Sequence, residues 1–338
     1  MIREALTTLA GGSLIEGDTA YHVMKSIMAG EATDAQIGAY LTALHLLGES
    51  PEVISGSARA MREACTPVLT EAEIVVDTCG TGGDGSHTIN ISTAAAFVAA
   101  GAGVTVAKHG NRSVTSQCGS ADVLRALGVN VDVQAEAMSR CIDTIGIAFL
   151  FALTLHPAMK HAIGPRRELG FRTVFNILGP LSNPASAKYG VLGVYGVDLV
   201  ETVARAAAEI GCRRLFVVHG LDGLDEVTTT APTRIGEVHD GEVKVYDFDA
   251  CDIGVARSSP ADLKGGTPEE NAAALRSVLD GAAGPHRDIV ALNAAAAIVA
   301  GQAASDLKEG LAAAAAAIDS GAAREKLDAL VQQTHATT

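Results

Sequence analysis

Three stretches of this chain carry residue types that suit a bound anion or the cation that would accompany it. The first is DTCGTGGDG, Asp77 to Gly85, with four glycines in nine residues. Glycines leave the backbone bare, so N–H groups can approach an anion closely. The run is neither a GxGxxG fingerprint nor a Walker A loop, because no Lys-Ser/Thr follows. HTINISTAAAFVAA follows from His87, with Asn90, Ser92 and Thr93 ahead of an apolar helix. The positive end of that helix dipole then faces the glycine loop. The loop alone also reads as a tight turn with an ordinary cap.

The second stretch is KHGNRSVTSQCGSAD, Lys108 to Asp122. Lys108 and Arg112 bring charge, while Ser113, Thr115, Ser116 and Ser120 bring hydroxyls. A diphosphate calls for this mixture of charge-assisted bonds and short donors. The same residues also read as a solvated polar loop, with Ser120 capping the next helix and His109 structural. The third stretch, HGLDGLDEVT, sets Asp225 beside Glu226. Adjacent acids are common on surfaces. Beside a diphosphate they repel unless a cation lies between, and magnesium takes one or two carboxylates plus phosphate oxygens. A fourth segment, His156 to Pro184, clusters Arg166, Arg167 and Arg172. Their forked donors suit a carboxylate, and equally suit a salt bridge.

Positioning these residues falls to an α/β fold. Short apolar runs at Ile74–Asp77, Val104–Lys108, Ile147–Ala152, Val191–Tyr195 and Leu215–His219 alternate with helical stretches. That alternation predicts a mostly parallel central sheet flanked by helices. Ligands gather at the carboxyl ends of such strands, and the first three motifs each follow one. Residues 234–248 alternate like a hairpin around Asp240-Gly241. Residues 1–72 read as a small all-helical domain without evident chemistry. Thr33 and Gln36 form a capping box there, and Ser50-Pro51 starts a helix. Residues 73–338 form the larger α/β domain, and the segment 160–184 is expected to pack back on the helical one. The apolar run from Ile289 to Ala300, broken by Asn293, reads as a buried helix.

Bulk properties narrow the function. Hydrophobic residues are 48% and charged residues 19% of 338, enough for a packed core. A net charge of −14 disfavours nucleic acid and anionic membranes. It also demands that an anionic ligand find a local nest of cations or metal. Six scattered cysteines without CxxC spacing point away from metal clusters and disulfides. With no signal-like N-terminus, a cytoplasmic protein is expected.

Taken together, DTCGTGGDG, NISTA, KHGNRSVTS, GSADVL, RTVFNILGPLSNP and HGLDGLDE resemble the anthranilate phosphoribosyltransferase family of tryptophan biosynthesis. The likeness covers most of residues 10–230 and fades beyond. It implies a nucleoside phosphorylase/phosphoribosyltransferase-like fold, a homodimer through the helical domain, and a site in the interdomain cleft. By the same resemblance, Gly80, Gly83, Asp84, Thr88, Asn90, Ile91, Ser92 and Thr93 line the phosphoribosyl pyrophosphate site. Lys108, His109, Gly110, Asn111, Arg112, Ser113, Val114, Thr115, Ser116 and Ser120 complete it. Gly80, Asn111 and Arg166 touch anthranilate. Ser92, Asp225 and Glu226 hold magnesium, two ions per site. The sequence departs from the family pattern at Leu153, Leu155 and Thr115, and the first two bear on the shape of the acceptor channel. No residue reads as a nucleophile or general base. Two other readings stay open: a pyrimidine nucleoside phosphorylase-like enzyme, which needs no acid pair, and a non-catalytic phosphoribosyl-pyrophosphate-binding relative.

Overall fold

The computed structural model describes residues 1–112 and 117–336. Four helices come first: α1 (Ile2–Ala10), α2 (Gly17–Met28), α3 (Asp34–Leu47) and α4 (Pro51–Ala64). The expected start signals operate. Thr33 and Gln36 exchange capping-box bonds at α3, and the Ser50 hydroxyl accepts the Val53 N–H at α4. The chain then alternates through β1 (Val76–Thr78), α5 (Ile91–Gly101), β2 (Val106–Gly110), α6 (Ser120–Ala126), α7 (Ala135–Ile145) and β3 (Ile147–Phe151). Three helices follow, α8 (Ala152–Leu155), α9 (Lys160–Leu169) and α10 (Val174–Leu181). Next come β4 (Tyr189–Gly193), α11 (Leu199–Glu209), β5 (Arg214–Gly220), β6 (Thr233–His239) and β7 (Glu242–Phe248). Four helices end the described chain: α12 (Pro268–Leu279), α13 (Pro285–Ala300), α14 (Leu307–Asp319) and α15 (Ala322–Ala336).

The strands form one seven-stranded sheet in the order β3-β2-β1-β4-β5-β6-β7. The first five are parallel and the last two antiparallel. The β6–β7 turn has both central residues at positive φ, Asp240 at 48° and Gly241 at 90°, as a two-residue hairpin requires. The chain order reverses at β1. It steps outward to β2 and β3, then returns to β4 on the other side. The crevice for ligands lies at such a reversal, and the glycine loop leaves β1 there.

Two apolar cores hold the layers. One lies between the sheet and α5, α6, α7 and α12 to α15. The other fills the helical unit, takes in α10, and continues through α11 to the reverse face of β4 and β5 at Leu192, Leu215 and Val217. It therefore crosses residue 72, where the sequence places a boundary. α9 packs on α2 and α3, and α10 on α3 and α4. No helix among the described residues is long and apolar enough to cross a membrane.

Candidate active site

A cavity of about 750 Å³ opens at the carboxyl ends of β1, β2 and β5. Gly80, Gly83, Asp84, Thr88, Asn90, Ile91, Ser92, Thr93, Lys108, His109, Gly110, Asn111, Arg112, Ser120, Arg166, Asp225 and Glu226 all border it. Ser113, Val114, Thr115 and Ser116 lie outside the described residues. Among the described residues, five side-chain cations (Lys108, Arg112, Lys160, Arg166 and Arg172) and three carboxylates (Asp84, Asp225 and Glu226) line its wall. The cavity thus reverses the sign of the whole chain, which is the local nest an anionic ligand needs.

The acid pair is built into this wall by close backbone approach. A Cβ on Gly193, at the end of β4, would sit 1.6 Å from the Asp225 carbonyl oxygen, so only glycine lets the two segments pass. Asp225 Oδ2 accepts the Gly82 N–H at 2.8 Å, and Glu226 Oε1 accepts the Ser92 N–H at 3.2 Å. The carboxylates therefore occupy donors that composition alone assigns to the anion, one in the glycine loop and one in the first turn of α5. Burial pushes both carboxyls above their usual range. The neighbouring Asp84 adds to this for Asp225, and Asp225 adds to it for Glu226. Hard oxygen ligands crowded at mutual cost fit a divalent cation such as magnesium.

Lys108 is less exposed than a loop residue, because β2 runs on to Gly110 and buries it. Its ammonium donates to the Thr78 carbonyl at 2.5 Å and reaches the Ser92 hydroxyl at 3.3 Å. Below it, buried Asp77 accepts the His109 N–H at 3.0 Å and the Asn183 amide at 2.7 Å. Burial raises Asp77 to about 6, against the pull of Lys108. His109 Nδ1 lies 3.1 Å from the Gly179 carbonyl, which accepts only, so that nitrogen carries the proton. His109 Nε2 then accepts from His156 Nε2 at 3.2 Å. Burial lowers His109 to about 3 and His156 to about 4, so both are neutral at pH 7. Asp77, Cys79 and His109 lie close enough together to be metal ligands, although the cysteines have no CxxC spacing. The bonds just described already engage both Asp77 oxygens and both His109 nitrogens.

Several readings need correction. Ser120 does not cap α6. Gly119 holds that position, its N–H bonded to Asp122, and the Ser120 hydroxyl instead donates to the Asn111 carbonyl at 3.1 Å. Ser92 and Thr93 lie inside the first turn of α5, behind Asn90 as N-cap. Leu153 borders the cavity and is 51% exposed, whereas Leu155 is buried outside its wall. Of the three arginines, Arg167 is absent from the described lining. Arg166 stacks 5.0 Å above the Phe175 ring, and Arg172 stacks 4.2 Å above Tyr195 while donating to the Gly83 carbonyl. The helical unit contributes Met61 to the wall, although its sequence shows no chemistry. Sequence reasoning also missed Gly265, Gly266 and Asn271. Asn271 accepts the Gly266 N–H and donates to Asn90, closing that segment over the start of α5. The glycine pair ahead of the Thr267–Glu270 capping box was the available signal.

This geometry sits on a known class of fold. The α/β-domain model of a glycosyl transferase family matches residues 72–324, and the family's helical bundle model matches residues 3–65. An anthranilate phosphoribosyltransferase of Moorella thermoacetica is 54% identical, over 98% of this chain and 98% of that protein. The crystal structure of the Thermus thermophilus enzyme of that name matches with a TM-score of 0.94 and 43% identity, over 98% of this chain and 99% of that one. The Saccharomyces cerevisiae enzyme, solved in complex with PRPP and Mg, matches with a TM-score of 0.91 and 27% identity, over 99% and 98%. The chain belongs to the anthranilate phosphoribosyltransferase family.

Proposed function

We propose that this protein transfers the phosphoribosyl group of 5-phosphoribosyl 1-pyrophosphate to anthranilate. The products are N-(5-phosphoribosyl)anthranilate and pyrophosphate, and the setting is L-tryptophan biosynthesis. One observation carries the reading. The glycine loop, the start of α5, Lys108 at the end of β2 with Arg112 just beyond it, and the acid pair meet in one cavity. The yeast relative's complex with PRPP and Mg supports the donor and the metal.

Asp225, Glu226 and Ser92 hold the metal in this reading, with two ions per site. Magnesium bound there would neutralise charge on the departing diphosphate. The chain's own residues do the rest. Lys108 sets a buried positive charge beside Ser92, and Arg112 supplies another at the rim. Arg166 orients the anthranilate carboxylate. It has no ion-pair partner among the described residues, and burial lowers its own pKa, so a carboxylate would relieve its desolvation. His109 and His156, neutral and bonded to each other, shape the wall without acting as bases. None is needed, because an aniline-type amine is free at neutral pH. The C1–oxygen bond breaks as the C1–nitrogen bond forms, the amine sheds a proton to solvent, and C1 inverts. Holding the amine near C1 supplies much of the rate.

Residues 1–72 with 160–184 make one wall of the cleft, and the rest of residues 73–338 make the other. Family resemblance supports a homodimer through the helical unit and a cytoplasmic location. The test is loss of anthranilate fluorescence on adding phosphoribosyl pyrophosphate, with magnesium and without. Magnesium-dependent loss is expected, and no loss under any condition overturns the reading. A product with retained configuration at C1 overturns the direct displacement.

A further inference from the structure

We infer that Asn293 is a positioning residue for the Asp225–Glu226 pair. The inference rests on the metal role proposed above. Asn293 sits within α13, where every residue from Ile289 to Ala300 is buried, and it is itself 2% exposed. A buried amide without partners costs on the order of 1–3 kcal/mol, so its bonds explain its presence. Its Oδ1 accepts the Val227 N–H at 2.9 Å, and its Nδ2 donates to the Val227 carbonyl at 2.8 Å. The second Nδ2 hydrogen goes to the Ile289 carbonyl one turn back, at 2.9 Å. Two carbonyls around the nitrogen fix the orientation of the amide, since neither can donate.

The side chain thus grips both main-chain groups of the residue that follows Glu226, much as a neighbouring strand would. The outer flank of the loop is held separately, where Asp222 accepts from the Thr228 hydroxyl at 2.7 Å. The inner grip has a further consequence, because α13 also packs along α5. One helix therefore fixes Val227 and supports the element that carries Ser92, whose N–H holds Glu226. The three residues proposed for the metal are spaced by this one helix. Asn293, Glu226 and Ser92 also line one small cleft of about 10 Å³.

The discriminating variant is Asn293→Ser. A helical serine can bond back to the carbonyl four residues earlier, which keeps the Ile289 bond and deletes only the grip on Val227. Partners that orient metal ligands are worth roughly 10–100-fold in metal affinity. Two readouts follow: Mn²⁺ binding by electron paramagnetic resonance in the presence of phosphoribosyl pyrophosphate, and the Mg²⁺ concentration that half-saturates turnover. About a tenfold weakening of both is expected in Asn293→Ser, with the anthranilate KM unchanged at saturating magnesium. Asn293→Asp provides a second variant of near-identical volume should the serine fold poorly, because its carboxylate repels the Val227 carbonyl. Wild-type metal affinity in a variant that is merely less stable overturns the inference and leaves the functional reading intact. A wild-type protein that binds no Mn²⁺ with phosphoribosyl pyrophosphate overturns the metal reading itself, and this inference with it.

Discussion

The two sides of the cleft are made differently. The side around the acid pair consists of loops leaving parallel strands, and hydrogen-bond partners hold it at each step. Asp225 takes Gly82, Glu226 takes Ser92, and Asn183 pins Asp77 beneath Lys108. The opposite side, α8 to α10, presents Arg166 on an aromatic face and leaves Leu153 and Ile163 exposed. The first side is electrostatic and held by directional hydrogen bonds. The second is more apolar, and its charges at the cavity are the cations Lys160, Arg166 and Arg172. A ligand with several charges suits the first, and a flat ring with a single carboxylate suits the second. Damage to the first side should fall on turnover, and damage to the second on recognition of the acceptor.

The largest test of that contrast is at the acid pair. Asp225→Asn and Glu226→Gln should each cut kcat by roughly 10²-fold and blunt its dependence on magnesium. Unchanged magnesium dependence in both would erase the distinction between the two sides. Next comes Arg166→Ala. A charged hydrogen bond is worth about 1.5–3 kcal/mol, so the anthranilate KM should rise at least tenfold while the phosphoribosyl pyrophosphate KM holds. Equal rises in both would mean that Arg166 serves the whole cleft. The paired leucines refine the second side. Leu155→Ala should cost about 2–5 kcal/mol of stability in a urea melt with little effect on KM. Leu153→Ala should leave stability nearly unchanged and move only the acceptor KM, by a few-fold.

The smallest effect concerns acid. His109 and His156 have native pKa values below the unfolded value near 6.5. As pH falls below that value the unfolded chain takes up protons that these histidines refuse, so their contribution to stability is full above about 6.5 and lost towards 4. Asp77, raised by burial, has the opposite sign in part of that window, because there the folded state binds the extra proton. Comparing His156→Phe with wild type cancels the Asp77 effect. The variant should lose less stability than wild type between pH 7 and pH 5, measured by urea midpoints. Parallel losses would show that the histidine pair does not couple to folding.

Much of the electrostatic side was legible in the sequence. Glycine runs, Lys108, Arg112 and the acid pair sit close to strand ends, where period and turn chemistry betray them. The apolar side was less legible because it is assembled from residues distant in sequence. Met61 looks like any residue on an amphipathic stripe, and only the packing of α4 brings it to the cavity. Ser120 read as a cap because residue type suggests one, but the backbone gives that position to Gly119 and sends the hydroxyl to Asn111. Asn293 registered only as a flaw in an apolar run. Its partner is 66 residues away in sequence, beyond the reach of local periodicity.

The second apolar core, running from the helical unit through α11 to the reverse face of β4 and β5, bears on how this protein can be rebuilt. Its two parts match separate family models, which invites exchanging them between relatives like cassettes. Shared packing between α4 and α11 argues that a graft must carry both helices together. A seam cut at residue 72 divides the chain between models but runs through the middle of an interior.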